Sequence, residues 1–148
     1  MSGLVKVSDA ASLGLHAATL LATRTGTFVP VVRMAEEFGV SQAHLAKVLQ
    51  WLARAGIVRS VRGPHGGFAL ARDPGAISLA DVFEAIEGPL TPGGCLLGRP
   101  ACDGTTCIFG GLLAKVETEV GRYLAATTLA QFSDMRFPPG TDGPNPRR

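Results

Sequence analysis

A chain of 148 residues suits one domain, or one domain with an appendage, and can bury a core of its own. No repeat is visible. The N-terminal stretch lacks a charged leader and an uninterrupted apolar run, because His16 and Thr19 interrupt it, so neither a signal peptide nor a membrane span is expected and the location implied is cytoplasmic. The net charge of +2 conceals a division. Residues 1–72 carry eight Lys or Arg against three Asp or Glu, whereas residues 73–132 carry three against seven. A basic half joined to an acidic half fits a polyanion-binding face followed by a part that meets something else, although ordinary surface charge produces the same asymmetry.

Ser8 is placed to cap a first helix running to about Thr23, with Leu13, Ala17, Leu20 and Leu21 on its apolar face. Asp9, Ser12 and His16 follow one another at i, i+3 and i+7 and form a polar stripe beside that face. Each has an ordinary structural account: a first-turn acid, a small filler and a surface imidazole. Pro30 can open a second helix through Glu37, FGVS supplies a glycine turn, and Ser41 caps a third helix. In that helix Leu45, Val48, Leu49 and Leu52 make a buried stripe ending at Gly56. Helix, glycine turn and helix is the helix-turn-helix pattern. Ser41, Gln42, His44 and Lys47 then lie at the end of the third helix that meets base edges in the major groove.

IVRSVR and FALAR read as two strands, with Val58, Val61, Phe68 and Leu70 as apolar positions, joined by GPHGG. Such a hairpin, carrying Arg59, Arg62 and His65 directly after a recognition helix, is a wing whose cations can clamp phosphate or enter a narrow minor groove. GPHGG lacks the GxxxxGK[ST] pattern of a phosphate loop and precedes a strand, which argues against nucleotide hydrolysis. Ser78 and Asp81 mark a capped fourth helix, with Leu79, Val82, Phe83 and Ile86 as its stripe and Gly88 at its close.

Between Gly88 and Gly111 stand seven glycines, three prolines and all three cysteines, Cys95, Cys102 and Cys107, separated by six and then four residues. Regular structure is excluded there. Thiolates converging from an irregular loop hold zinc or iron–sulfur clusters, while a Cys102–Cys107 disulfide or three unconnected thiols are the plain alternatives. A fifth helix from about Leu112 to Ala125 places Leu113, Val116, Val120 and Tyr123 or Leu124 on one side, the seam of a two-helix interface. TLAQF can add one more helical turn. The organisation expected is thus a winged helix-turn-helix DNA-binding domain over 1–75, a linker helix, cysteine loop and dimerisation helix over 76–132, and a disordered Pro/Gly-rich tail over 133–148. The fold class is mainly α with a small β-hairpin wing and a long C-terminal dimerisation helix.

Over residues 4–132 this order of parts resembles the Rrf-two family of bacterial transcription regulators. The resemblance is carried by SLGLHAATLLA, by GVSQAHLAKVLQWLARAGIVRSVRGPHGGFAL, by ISLADVFEAIEG and by three cysteines ahead of a helix ending in TLAQF; RAGIVRSVRGPHGGF is the most telling segment. It implies a homodimer that binds a double-stranded DNA operator, with Cys95, Cys102 and Cys107 holding a 2Fe–2S or 4Fe–4S cluster. One branch of the family has a histidine three residues after the last cysteine, where this chain has Gly110; others use the first helix of the partner subunit, with an acid where Ser12 stands or a histidine where His16 stands. His16 is therefore the expected fourth ligand and Asp9 the reserve. The six-and-four spacing is less even than is common in the family.

The function implied is a transcription regulator whose cluster senses a redox, nitric oxide or iron-status signal. A cluster-free or zinc-containing regulator working by thiol oxidation or through a partner protein is the alternative, weakened for zinc by the lack of a CxxC element. No catalytic triad, carboxylate pair or phosphate motif points to an enzyme.

Overall fold

A computed structural model of the chain describes residues 7–90, 107–109 and 111–137. Cys95 and Cys102, and the tail from residue 138 onward, lie outside the described residues.

Helix α1 (Asp9–Thr23) is the centre of the packing. Ala11, Leu13, Gly14, Ala17, Ala18, Leu20 and Leu21 are all buried, which takes up most of its circumference, so neighbours approach it from several sides. Ser8 caps it as expected. Its Oγ accepts from the Ala11 amide at 3.0 Å and donates to the Glu87 carboxylate. Gly14 is where α1 crosses α4 (Leu79–Glu87), and a methyl group there would collide with Ile86 Cδ1.

Helices α2 (Val31–Phe38) and α3 (Gln42–Arg54) form the helix-turn-helix. Pro30 stands at the N-cap of α2, and Gly39 closes it in the left-handed region, with φ 62°. The expected stripe of Leu45, Val48, Leu49 and Leu52 is fully buried in the common core with Leu20, Leu21 and Met34. An ion pair at 2.8 Å between Arg24 and Glu37 joins the end of α1 to α2.

Strands β1 (Val58–Val61) and β2 (Gly67–Leu70) form the antiparallel hairpin, with Val58 opposite Leu70 and Arg59 opposite Ala69. Val61, an apolar position of the expected strand, is 46% exposed; it pairs with Gly67 and lies on the opposite face of β1 from the buried Val58. A third extended segment also joins the sheet: Val29 and Phe68 exchange both backbone hydrogen bonds, at 2.8 and 2.9 Å. Gly67 makes this possible. It takes φ 153°, and a side chain on it would overlap the Val29 carbonyl.

After a short 3-10 turn, Pro74–Ala76, α4 begins with a reciprocal cap in which Ser78 Oγ accepts from the Asp81 amide and Asp81 accepts from the Ser78 amide. Helix α5 (Leu112–Ala126) packs on α4, which in turn packs on α1 and α3. TLAQF supplies the extra turn as a 3-10 segment, Leu129–Phe132. Ser78 and Thr128 pair as an isolated antiparallel bridge, flanked by bonds from the Leu79 amide to the Thr127 carbonyl and from the Leu129 amide to the Ile77 carbonyl. Among the described residues no helix is long and apolar enough to cross a membrane.

Candidate DNA interface and thiol site

The buried leucine stripe of α3 turns the opposite side of the helix to solvent. Ser41, Gln42, His44 and Lys47 are all exposed, and Ser41 Oγ accepts from the His44 amide at 3.3 Å, which fixes the start of the helix. Lys47 does not wave freely: its Nζ lies 5.4 Å from the centroid of the Trp51 ring, one turn further on. The wing brings Arg59, Arg62 and His65 to the surface, and the Gly66 amide donates to the Gly63 carbonyl at 2.9 Å to close its tip. Arg59 has an aromatic support of its own, with its guanidinium carbon 4.8 Å from the centre of the Phe28 ring. Trp51 and Phe28 are residues that the sequence reading did not connect to this face. No periodicity could have linked Phe28 to Arg59, since the contact is made through the sheet.

The second candidate site is only partly described. Cys107 is exposed, shortly before α5, and Ile108 beside it is 92% exposed. His16 is exposed on α1 and lines a small apolar cleft of about 150 Å³ with Leu15, Thr19, Leu79, Phe132 and Met135. Its ring meets Phe38 edge-on at 6.3 Å, and Phe38 meets Phe137 in the same way at 5.7 Å. The contact that matters chemically is from His16 Nδ1 to the Ser12 carbonyl oxygen, 2.6 Å away. A carbonyl can only accept, so Nδ1 is the donor in this contact and Nε2 is the ring nitrogen left for another partner. Asp9 is exposed in the first turn of α1 and Ser12 is half-buried. Among the described residues no three of His, Cys, Asp and Glu converge on one point; the set of three thiols and an imidazole fits an iron–sulfur group in donor chemistry.

A central helix, a helix-turn-helix with an exposed polar N-terminal end and a glycine-tipped wing bearing arginines define a winged-helix DNA-binding protein. The sequence profile of the Rrf2 family, described as iron-dependent transcriptional regulators, matches residues 7–135. The chain belongs to the Rrf2 family. It is 30% identical over 131 residues to a protein of Aquifex aeolicus provisionally described as an HTH-type transcriptional regulator, a match covering 86% of this chain and 91% of that one. It is 33% identical over 105 residues to the HTH-type transcriptional regulator IscR of Vibrio cholerae, covering 70% of this chain and 60% of the relative; the chain thus spans about three fifths of the length of the IscR relatives it matches. Among solved structures it is similar to CymR, the global cysteine regulator of B. subtilis, with a TM-score of 0.75 and 26% identity over 90% of this chain and 99% of that one. These relatives are transcription regulators, and the chain is not an enzyme.

Proposed function

We propose that this Rrf2-family regulator binds operator DNA as a homodimer and that Cys95, Cys102 and Cys107, completed by His16 of the partner subunit, hold an iron–sulfur cluster whose state sets operator affinity. Gln42, His44 and Lys47 read the major groove from α3, and Ser41 anchors that helix start. Arg59, Arg62 and His65 engage the flanking backbone or minor groove. The observation that carries the ligand assignment is the hydrogen bond from His16 Nδ1–H to the Ser12 carbonyl. Histidines that ligate metals ordinarily donate their other ring nitrogen in this way, which fixes the tautomer and turns the free lone pair outward. When bound, such a cluster supplies one-electron chemistry and a reactive centre for oxygen or nitric oxide. The protein's part is to make the loop between α4 and α5 respond, and to couple it to the DNA-binding half through α4, which packs on both α1 and α3.

The test is anaerobic reconstitution followed by visible spectroscopy, iron counting and Mössbauer spectroscopy, on the wild-type protein and on His16→Ala. A coloured, iron-loaded wild type is expected, with altered Mössbauer parameters or a labile cluster in the variant. A colourless, iron-free wild type overturns the proposal, and an unchanged His16→Ala spectrum removes His16 from the ligand set.

A second reading, thiol sensing without a cluster, is favoured by the exposed thiol of Cys107 and by the similarity to a cysteine regulator. Here Cys102 and Cys107 would lose two electrons and two protons to a peroxide, which becomes water, and form a disulfide. Metal analysis of protein purified without air separates the two readings, and zinc in place of iron would point to the second.

A further inference from the structure

We propose that Phe28 is a positioning residue for DNA recognition, its ring holding the Arg59 guanidinium at the foot of the wing. This rests on the reading that Arg59 meets DNA. The register of the sheet explains how two residues so distant in sequence come together. Arg59 stands directly opposite Ala69, and opposed residues of an antiparallel pair share a face. On the other edge of β2, Val29 bridges Phe68, so Phe28, one residue earlier, shares the face of Ala69. Phe28 and Arg59 therefore flank Ala69 from either side. The alanine methyl is too small to separate them, and the guanidinium carbon lies 4.8 Å from the ring centre. Ala69, which the two flank, is only 4% exposed.

Placement on a ring suits an arginine that must meet a nucleic acid. A guanidinium that contacts an aromatic face keeps its full charge and leaves N–H groups along its edge for phosphate or base acceptors. It also reaches the complex already confined, which lowers the entropy lost on binding. In an antiparallel pair the backbone holds Arg59 only at its Cα; Phe28 is what fixes the far end.

The experiment is a double-mutant cycle read by fluorescence anisotropy, at several salt concentrations, with a duplex enriched from a randomised pool by the wild-type protein. Phe28→Leu, which keeps bulk and removes the π face, is expected to weaken binding about two- to fivefold. The salt dependence should stay unaltered, because no charge is lost. In an Arg59→Ala background the same change should cost nothing further, and Phe28→Tyr should bind like the wild type. Equal losses from Phe28→Leu in both backgrounds, or no loss in the wild type, overturn the proposal; thermal unfolding of each variant exposes a purely structural effect. If Arg59→Ala leaves affinity and salt slope unchanged, Arg59 does not meet DNA and the proposal falls, while Arg62→Ala in the same assay reports separately whether the wing still serves as a DNA contact.

Discussion

Arg62 follows β1 at the base of the wing turn and is fully at the surface with Gly63, Pro64 and His65. An exposed cation next to the glycine tip contributes little to folding, so its substitution isolates binding from stability. Arg62→Ala is expected to weaken operator binding by about 1 kcal/mol or more and to make the salt dependence shallower by about one counterion for each wing engaged. Titrations at graded salt check this, and unchanged affinity and slope would take Arg62 out of the interface. Lys47 and Arg59 differ from Arg62 in resting on aromatic rings. Their truncation therefore removes packing as well as charge, and Arg62→Ala is the cleaner measure of the wing's electrostatic share.

The wing as an element depends on a narrow join. Gly67 opens β2 with φ 153° and lies against the Val29 carbonyl, so Gly67→Ala forces strained backbone into contact with a carbonyl that cannot retreat without breaking the Val29–Phe68 pair. A loss of about 1–3 kcal/mol is expected, read as a lower urea midpoint; a wild-type midpoint would refute the account. The helices were legible in the sequence because their cause is local. Ser8, Ser41 and Ser78 are caps that accept the amides three residues on, and the stripe from Leu45 to Leu52 states its own period. The Val29–Phe68 and Ser78–Thr128 bridges were not legible, since single-residue pairings leave no pattern in either segment. Val61, three residues from Val58, falls on the opposite face of β1 and is exposed there, as strand alternation alone indicates. At the candidate DNA interface the polar residues were legible from helix phase and hairpin position. Of their aromatic supports, Trp51 stands one turn beyond Lys47, a spacing legible in the sequence, whereas Phe28 meets Arg59 only through the sheet.

At the scale of the whole molecule, α5 buries fewer of its residues than any of the other four α-helices. Leu124 is its one buried residue, while Leu112 is 47% and Tyr123 59% exposed, leaving an apolar surface that suits a second copy of the chain. Tyr123 belongs to the expected seam and Leu112 lies beside it, whereas Leu113, Val116 and Val120 of that seam are half-buried within the chain. Leu112→Glu combined with Tyr123→Glu should shift the sedimentation of the protein from dimer to monomer with the helical circular dichroism signal intact, because both side chains are already solvated within the chain. A double variant that remains dimeric would move the interface elsewhere.

The Ser78–Thr128 bridge has a mechanical consequence for this arrangement. It ties the start of α4 to the residues just beyond α5, so the two helices form a pair of tongs riveted at one end. The rivet is not free to translate, because the Leu129–Phe132 turn beside it packs against α1. A change in the separation of the far ends of α4 and α5 would then act as a lever about the rivet. With α5 about 20 Å long, a displacement of about 2 Å at the jaws corresponds to a swing of roughly six degrees, delivered to a hinge that already touches the central helix of the DNA-binding half.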